Sequence, residues 1–90
     1  MPRYLVQRTF PTGLAIPIND DGAAAIDKVN TVNAESGVTW SHSYVSEDRR
    51  TTYCVYDGPS PDAIRHAAAC NGLPVDTITL VDELSAHPYR

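Results

Sequence analysis

Apolar and polar positions along the chain change rhythm six times. Arg3 to Phe10, RYLVQRTF, is rich in β-branched and aromatic side chains and stops at Pro11, Thr12 and Gly13, which predicts a first strand. A polar loop then offers Asn19, Asp20 and Asp21 as competing N-cap residues. It leads into AAAIDKVNTVNAES, where Ala25, Ile26, Val29 and Val32 recur at helical spacing and Gly37 stands as the stop residue. Val38 to Val45 and Thr51 to Asp57 read as strands two and three, and the short polar segment SEDRR between them fits a hairpin loop.

The stretch GPSPDAIRHAAACNGLP carries a full set of helix signals. Ser60 is placed to cap, Pro61 to open the first turn and Asp62 to face the positive end of the helix. Gly72 and Leu73 are placed to close a Schellman-type end near Ala68. Thr77 to Leu84 predicts the fourth strand, and residues 84–90 run out as a tail. The order β-α-β-β-α-β, with no linker or repeat, predicts a single α+β domain over residues 1–90. Right-handed crossovers fold that order into a ferredoxin-like sandwich, with antiparallel strands in the order 4-1-3-2 and both helices on one face.

On this scheme the second strand has an unusual texture. In WSHSYV the rings Trp40, His42 and Tyr44 alternate with Ser41, Ser43 and Val45. Regular alternation puts the rings on one face and the small residues on the other. Small side chains suit the space beneath a helix, so the rings are expected on the open face of the sheet. A five-residue loop would pair Val45 with Thr51, setting Cys54 opposite His42 and Tyr56 opposite Trp40 on that same face. A one-residue change of register would turn strand three over. An uncovered face of this kind predicts association, as a homodimer or a multiple of one, and ninety residues bury too little to make a wasted apolar face cheap.

Composition narrows the partners. Eleven acidic against seven basic residues give a net charge of -4, which disfavours nucleic acid. No apolar run is long enough to span a membrane, and the start MPRYLVQRTFP lacks a signal-peptide core, so the expected location is the cytoplasm. Cys54 and Cys70 form no C-x-x-C pair and are expected as reduced, mostly buried thiols.

The segments VTWSHSYVSED, TTYCVYDGPSPDAIR and NGLPVDTITLV resemble a family of small bacterial proteins catalogued as a domain of unknown function, one branch of which is nickel-binding and nickel-responsive. The similarity covers roughly residues 3 to 82. It implies a ferredoxin-like fold that associates sheet to sheet as a dimeric α+β barrel, and it brings nickel or another divalent metal into view. His42 is the one donor that falls inside a matching motif.

Imidazole is a good ligand for late first-row metals, which makes His42 the leading metal donor, with Cys54 across the hairpin as the second. The plainer roles are a histidine packed among aromatics and a buried thiol. Trp40, Tyr44 and Tyr56 would line a ligand pocket between two sheets. His66, among alanines on the second helix, and His87, in the tail, read as surface residues. Asn19, Asp20 and Asp21, and Glu47 with Asp48, form two acidic clusters that could coordinate cations; the plainer reading is that they cap a helix and decorate a hairpin.

Arg49 and Arg50 before TTYCVY faintly match an RNA-recognition strand, but the small residue and first ring of that motif are missing. No sequence motif establishes catalysis. Two enzyme alternatives remain. One is a cofactor-free, monooxygenase-like barrel around a small organic molecule. The other is a tautomerase using Pro2 as general base with Arg8 as the carbonyl-polarising partner. No organic cofactor is called for. The sequence therefore predicts a cytoplasmic homodimer holding a divalent metal, nickel by resemblance, at the open face of its sheets.

Overall fold

The computed structural model describes residues 2–14 and 20–84. Its elements in chain order are β1 (Arg3–Thr9), α1 (Asp20–Glu35), β2 (Thr39–Val45), β3 (Thr51–Asp57), α2 (Pro61–Asn71) and β4 (Thr77–Val81). The strands form one antiparallel sheet in the order β2-β3-β1-β4, the predicted order read from the other edge. With two helices against one face, this is the ferredoxin-like arrangement. Asn19, His87 and the side chains of Asp20 and Asp21 lie outside the described residues.

Two boundaries differ from the sequence pattern. Helix α1 begins at Asp20 rather than Ala23. Strand β4 ends at Val81 rather than Leu84, because Val81 is paired with Arg3, the first residue of β1, and β1 offers no further residue to bond to. Leu84 is correspondingly exposed.

Both helices stop in the same way. At the end of α2, Gly72 adopts φ 67° and donates its N–H to Ala69 O, while Leu73 N–H reaches Ala68 O at 2.9 Å. At the end of α1, Gly37 adopts φ 71°, with Gly37 N–H on Ala34 O and Val38 N–H on Asn33 O. These paired bonds satisfy carbonyls that the helix leaves open, and the left-handed residue costs least when it is glycine. The start of α2 is equally well defined, since Ser60 Oγ accepts from Ala63 N–H at 3.2 Å and Pro61 follows it.

The core lies between the sheet and α2. Tyr4 and Val6 of β1, Cys54 and Tyr56 of β3, and Val38 meet Ile64 and Ala67, with Trp40, Ala63, Val75 and Ile78 packed against them. Register explains the row: Tyr4 pairs with Tyr56 and Val6 with Cys54, so the four side chains share one face. Val6 and Ile64 are essentially inaccessible, and burial of such side chains contributes about 1.5–3 kcal/mol each.

Removing the cap acceptor without touching the core should isolate its contribution. Ser60→Ala is expected to lower stability by about 0.5–2 kcal/mol, read as a lower urea midpoint at unchanged slope; an unmoved midpoint would show that the cap adds nothing.

Candidate functional site

The site expected from the sequence is rearranged by two features of the β2–β3 hairpin. The loop is one residue tighter than expected. Ser46 stays in the ladder, donating its N–H to Thr51 O at 2.9 Å, and Arg49 N–H closes a turn onto Ser46 O with Arg49 itself at φ 60°. Asp48 Oδ1 accepts from Ser46 Oγ at 2.6 Å and from Arg50 N–H at 3.0 Å, bonds that hold its carboxyl below the usual carboxylate range. Asp48 therefore builds the turn, as the plainer reading of this cluster held. Val45 in consequence pairs with Thr52 rather than Thr51, and Ser43 rather than His42 faces Cys54.

The second feature is a β-bulge between Trp40 and His42 that leaves Ser41 as the extra residue. A bulge resets the alternation of side chains, so Trp40 and His42 point to opposite faces. Trp40, opposite Tyr56 as expected, lies on the helix side, packs on the core and donates Nε1–H to Ser43 Oγ at 2.9 Å. The ring comb is thus divided. Trp40, Cys54 and Tyr56 belong to the covered face, and only His42 and Tyr44 of the predicted set reach the open one.

On that open face His42 and Tyr44 stand edge to face, centroids 5.4 Å apart. Tyr44 pairs with Tyr53 and His42 with Val55, both on the same face, and Tyr44 and Tyr53 are 65% and 39% exposed. The five-residue loop would have placed neither Tyr53 nor Val55 here; the one-residue change of register that turns strand three over is the one observed. His42 Nδ1 lies 3.0 Å from Ser41 Oγ. At the far end of the face Arg3 bonds Asp57 at 3.0 Å and reaches Glu83 at 3.4 Å. The hydrogen bond from Arg3 holds the Asp57 carboxyl below its ordinary range.

His42 and Cys54 are not co-ligands, because the sheet itself separates them. Cys54 is buried, with Sγ 3.5 Å from Thr52 Oγ1. Among the described residues no group of three or more His, Cys, Asp or Glu side chains could hold a metal ion. The pocket expected between two sheets loses Trp40 and Tyr56 to the core and keeps only Tyr44 on the open face. The tautomerase geometry is absent as well. Arg8 is buried, with Nη1 on Pro74 O at 2.8 Å and its guanidinium over the Tyr56 ring, and six residues of strand place it about 20 Å from Pro2. On α2, His66 is exposed as expected, whereas Cys70, expected to be mostly buried, is exposed as well because it lies on the helix face turned away from Ile64 and Ala67; His66 Nε2 lies 3.7 Å from Cys70 Sγ.

The profile of a family described as nickel responsive protein SCO4226-like matches residues 4–81. The chain belongs to this family. A crystal structure of SCO4226 from Streptomyces coelicolor A3(2) superposes with a TM-score of 0.71, covering 92% of this chain and 99% of that one at 19% sequence identity. At that identity the likeness establishes the shared fold. A search of curated proteins finds no match. No helix among the described residues is long and apolar enough to cross a membrane.

Tyr56 gives the fold a measurable response to alkali. Burial pushes its hydroxyl above the ordinary tyrosine value; the Arg8 charge, and the bond Arg8 Nη2 donates to it at 3.3 Å, pull less strongly the other way. A pKa raised by folding contributes stability that is complete below the unfolded value and lost as pH rises through the folded one. Stability should therefore fall above about pH 10. Tyr56→Phe should cost about 1 kcal/mol at neutral pH through the lost hydrogen bond and flatten the alkaline decline; urea midpoints from pH 7 to 11 in both proteins test this.

Proposed function

We propose that this protein is a small nickel-binding protein that acts as a homodimer, taking the ion at the open sheet face through His42. The observation that carries the reading is the placement of His42 in a chain of the nickel-responsive family. Its imidazole is exposed beside Tyr44 on the face that neither α1 nor α2 covers. If Nδ1 donates its proton to Ser41 Oγ, the Nε2 lone pair faces outward for a metal, the role such outer partners play around ligating histidines.

One imidazole per chain is a poor site. Two chains packed sheet to sheet would bring two, and the same packing would cover Tyr44 and Tyr53. A second copy as the occupant follows from this need, because a two-fold contact presents the same donor twice. The free thiols Cys54 and Cys70 suit a reducing compartment, the cytoplasm. No reaction is ascribed to the protein.

Calorimetric titration with nickel is expected to show binding that falls by about tenfold or more in His42→Ala and barely changes in His66→Ala. Unchanged affinity in His42→Ala would remove this site. Native mass spectrometry of the nickel-loaded protein should show a dimer or a multiple of one, and a folded monomer would overturn the shared site.

A further inference from the structure

We propose that His66 and Cys70 form a second, two-donor metal site on the outer face of α2, built for a thiophilic ion of tetrahedral preference, zinc in the first place. The residues are four apart on a helix, so their side chains lie one above the other, with that of Cys70 leaning back over the preceding turn toward His66. Both are exposed, and Nε2 and Sγ are in hydrogen-bond contact at 3.7 Å. Zinc lengths of about 2.0–2.1 Å to imidazole nitrogen and 2.3 Å to thiolate, joined at a tetrahedral angle, set the two donors ~3.5 Å apart. The separation is compatible with one bridging ion, and the thiolate donor favours a thiophilic one such as zinc.

The helix beneath the pair is fixed at both ends by the Ser60 cap and the Gly72 stop, and on its inner face by Ile64 and Ala67. Little reorganisation is needed, and the remaining coordination positions stay open to water. Asp62 occupies the same row one turn before His66 but engages Arg65 at 3.5 Å, and eight residues of helix put it about 12 Å from Cys70, too far to share the ion. Binding converts the Cys70 thiol to a thiolate and releases its proton to solvent. This site does not rest on the nickel reading, which uses His42 on the other side of the sheet.

Cobalt(II) is the probe, because a tetrahedral thiolate complex of cobalt absorbs in the near ultraviolet and the visible, where zinc is silent. Reduced full-length protein titrated with cobalt is expected to develop a thiolate charge-transfer band that saturates at one ion per chain and is abolished by added zinc. Cys70→Ser, which keeps a hydroxyl at the same place, should remove the band while leaving the far-ultraviolet circular dichroism unchanged. His66→Ala should weaken cobalt binding by about tenfold or more. Absence of the band in the wild-type protein, its survival in Cys70→Ser, or wild-type affinity in His66→Ala would each overturn the proposal. Nickel binding that survives His42→Ala, together with a cobalt band lost in Cys70→Ser, would remove the nickel reading and keep this site.

Discussion

The register between β1 and β3 is the constraint from which the remaining structure follows. It aligns Tyr4 with Tyr56 and Val6 with Cys54, making a four-residue apolar row on the two central strands. Two helices can cover only one face of a four-stranded sheet, so that row fixes which face is covered, and Ile64 and Ala67 close it. A slip of one residue would exchange the row for Leu5, Gln7, Tyr53 and Val55, half-buried or exposed as they now stand. The difference of several buried side chains at about 1.5–3 kcal/mol each leaves no competing register.

Strand β2 at the edge has to accommodate this choice. Its apolar residue of greatest area, Trp40, gains most on the covered side, while the four-residue loop would send a regular strand there out of phase. The bulge at Ser41 reconciles the two: from Val45 to His42 the strand follows the phase of the loop, and from Trp40 back to Thr39 it follows the phase of the core. The Trp40 to Ser43 hydrogen bond then satisfies an indole N–H that burial would otherwise leave open. Separation of His42 from Cys54 follows from the loop, which sets the phase of His42, and from the core, which sets that of Cys54.

The covered side also carries polarity. Arg8 is 2% exposed yet ends on the Pro74 carbonyl and the Tyr56 hydroxyl, and its guanidinium lies 5.6 Å from the Tyr56 ring centroid. Asn71 donates across to Asn33 at 3.2 Å, joining the two helices. Such groups contribute modestly when bonded and are costly when orphaned, so they select one packing of the helices over its neighbours.

Much of the fold was legible in the residues. Ser60, Pro61, Gly72 and Leu73 specify the limits of α2 because capping is local chemistry, settled within a few residues. The strand order followed from the sequence of elements, since few right-handed topologies exist for it. Family membership was legible in the same way, from SYVSED to the start of α2. The site was less so. The i,i+4 spacing of His66 and Cys70 was in the chain, but their contact depended on both side chains being left outside the core. The facing of Trp40, His42, Cys54 and Tyr56 was decided only in the tertiary structure, because a strand alternates with a period of two and a single extra residue reverses it. The energy that pays for that extra residue comes from burial against a helix more than twenty positions away along the chain.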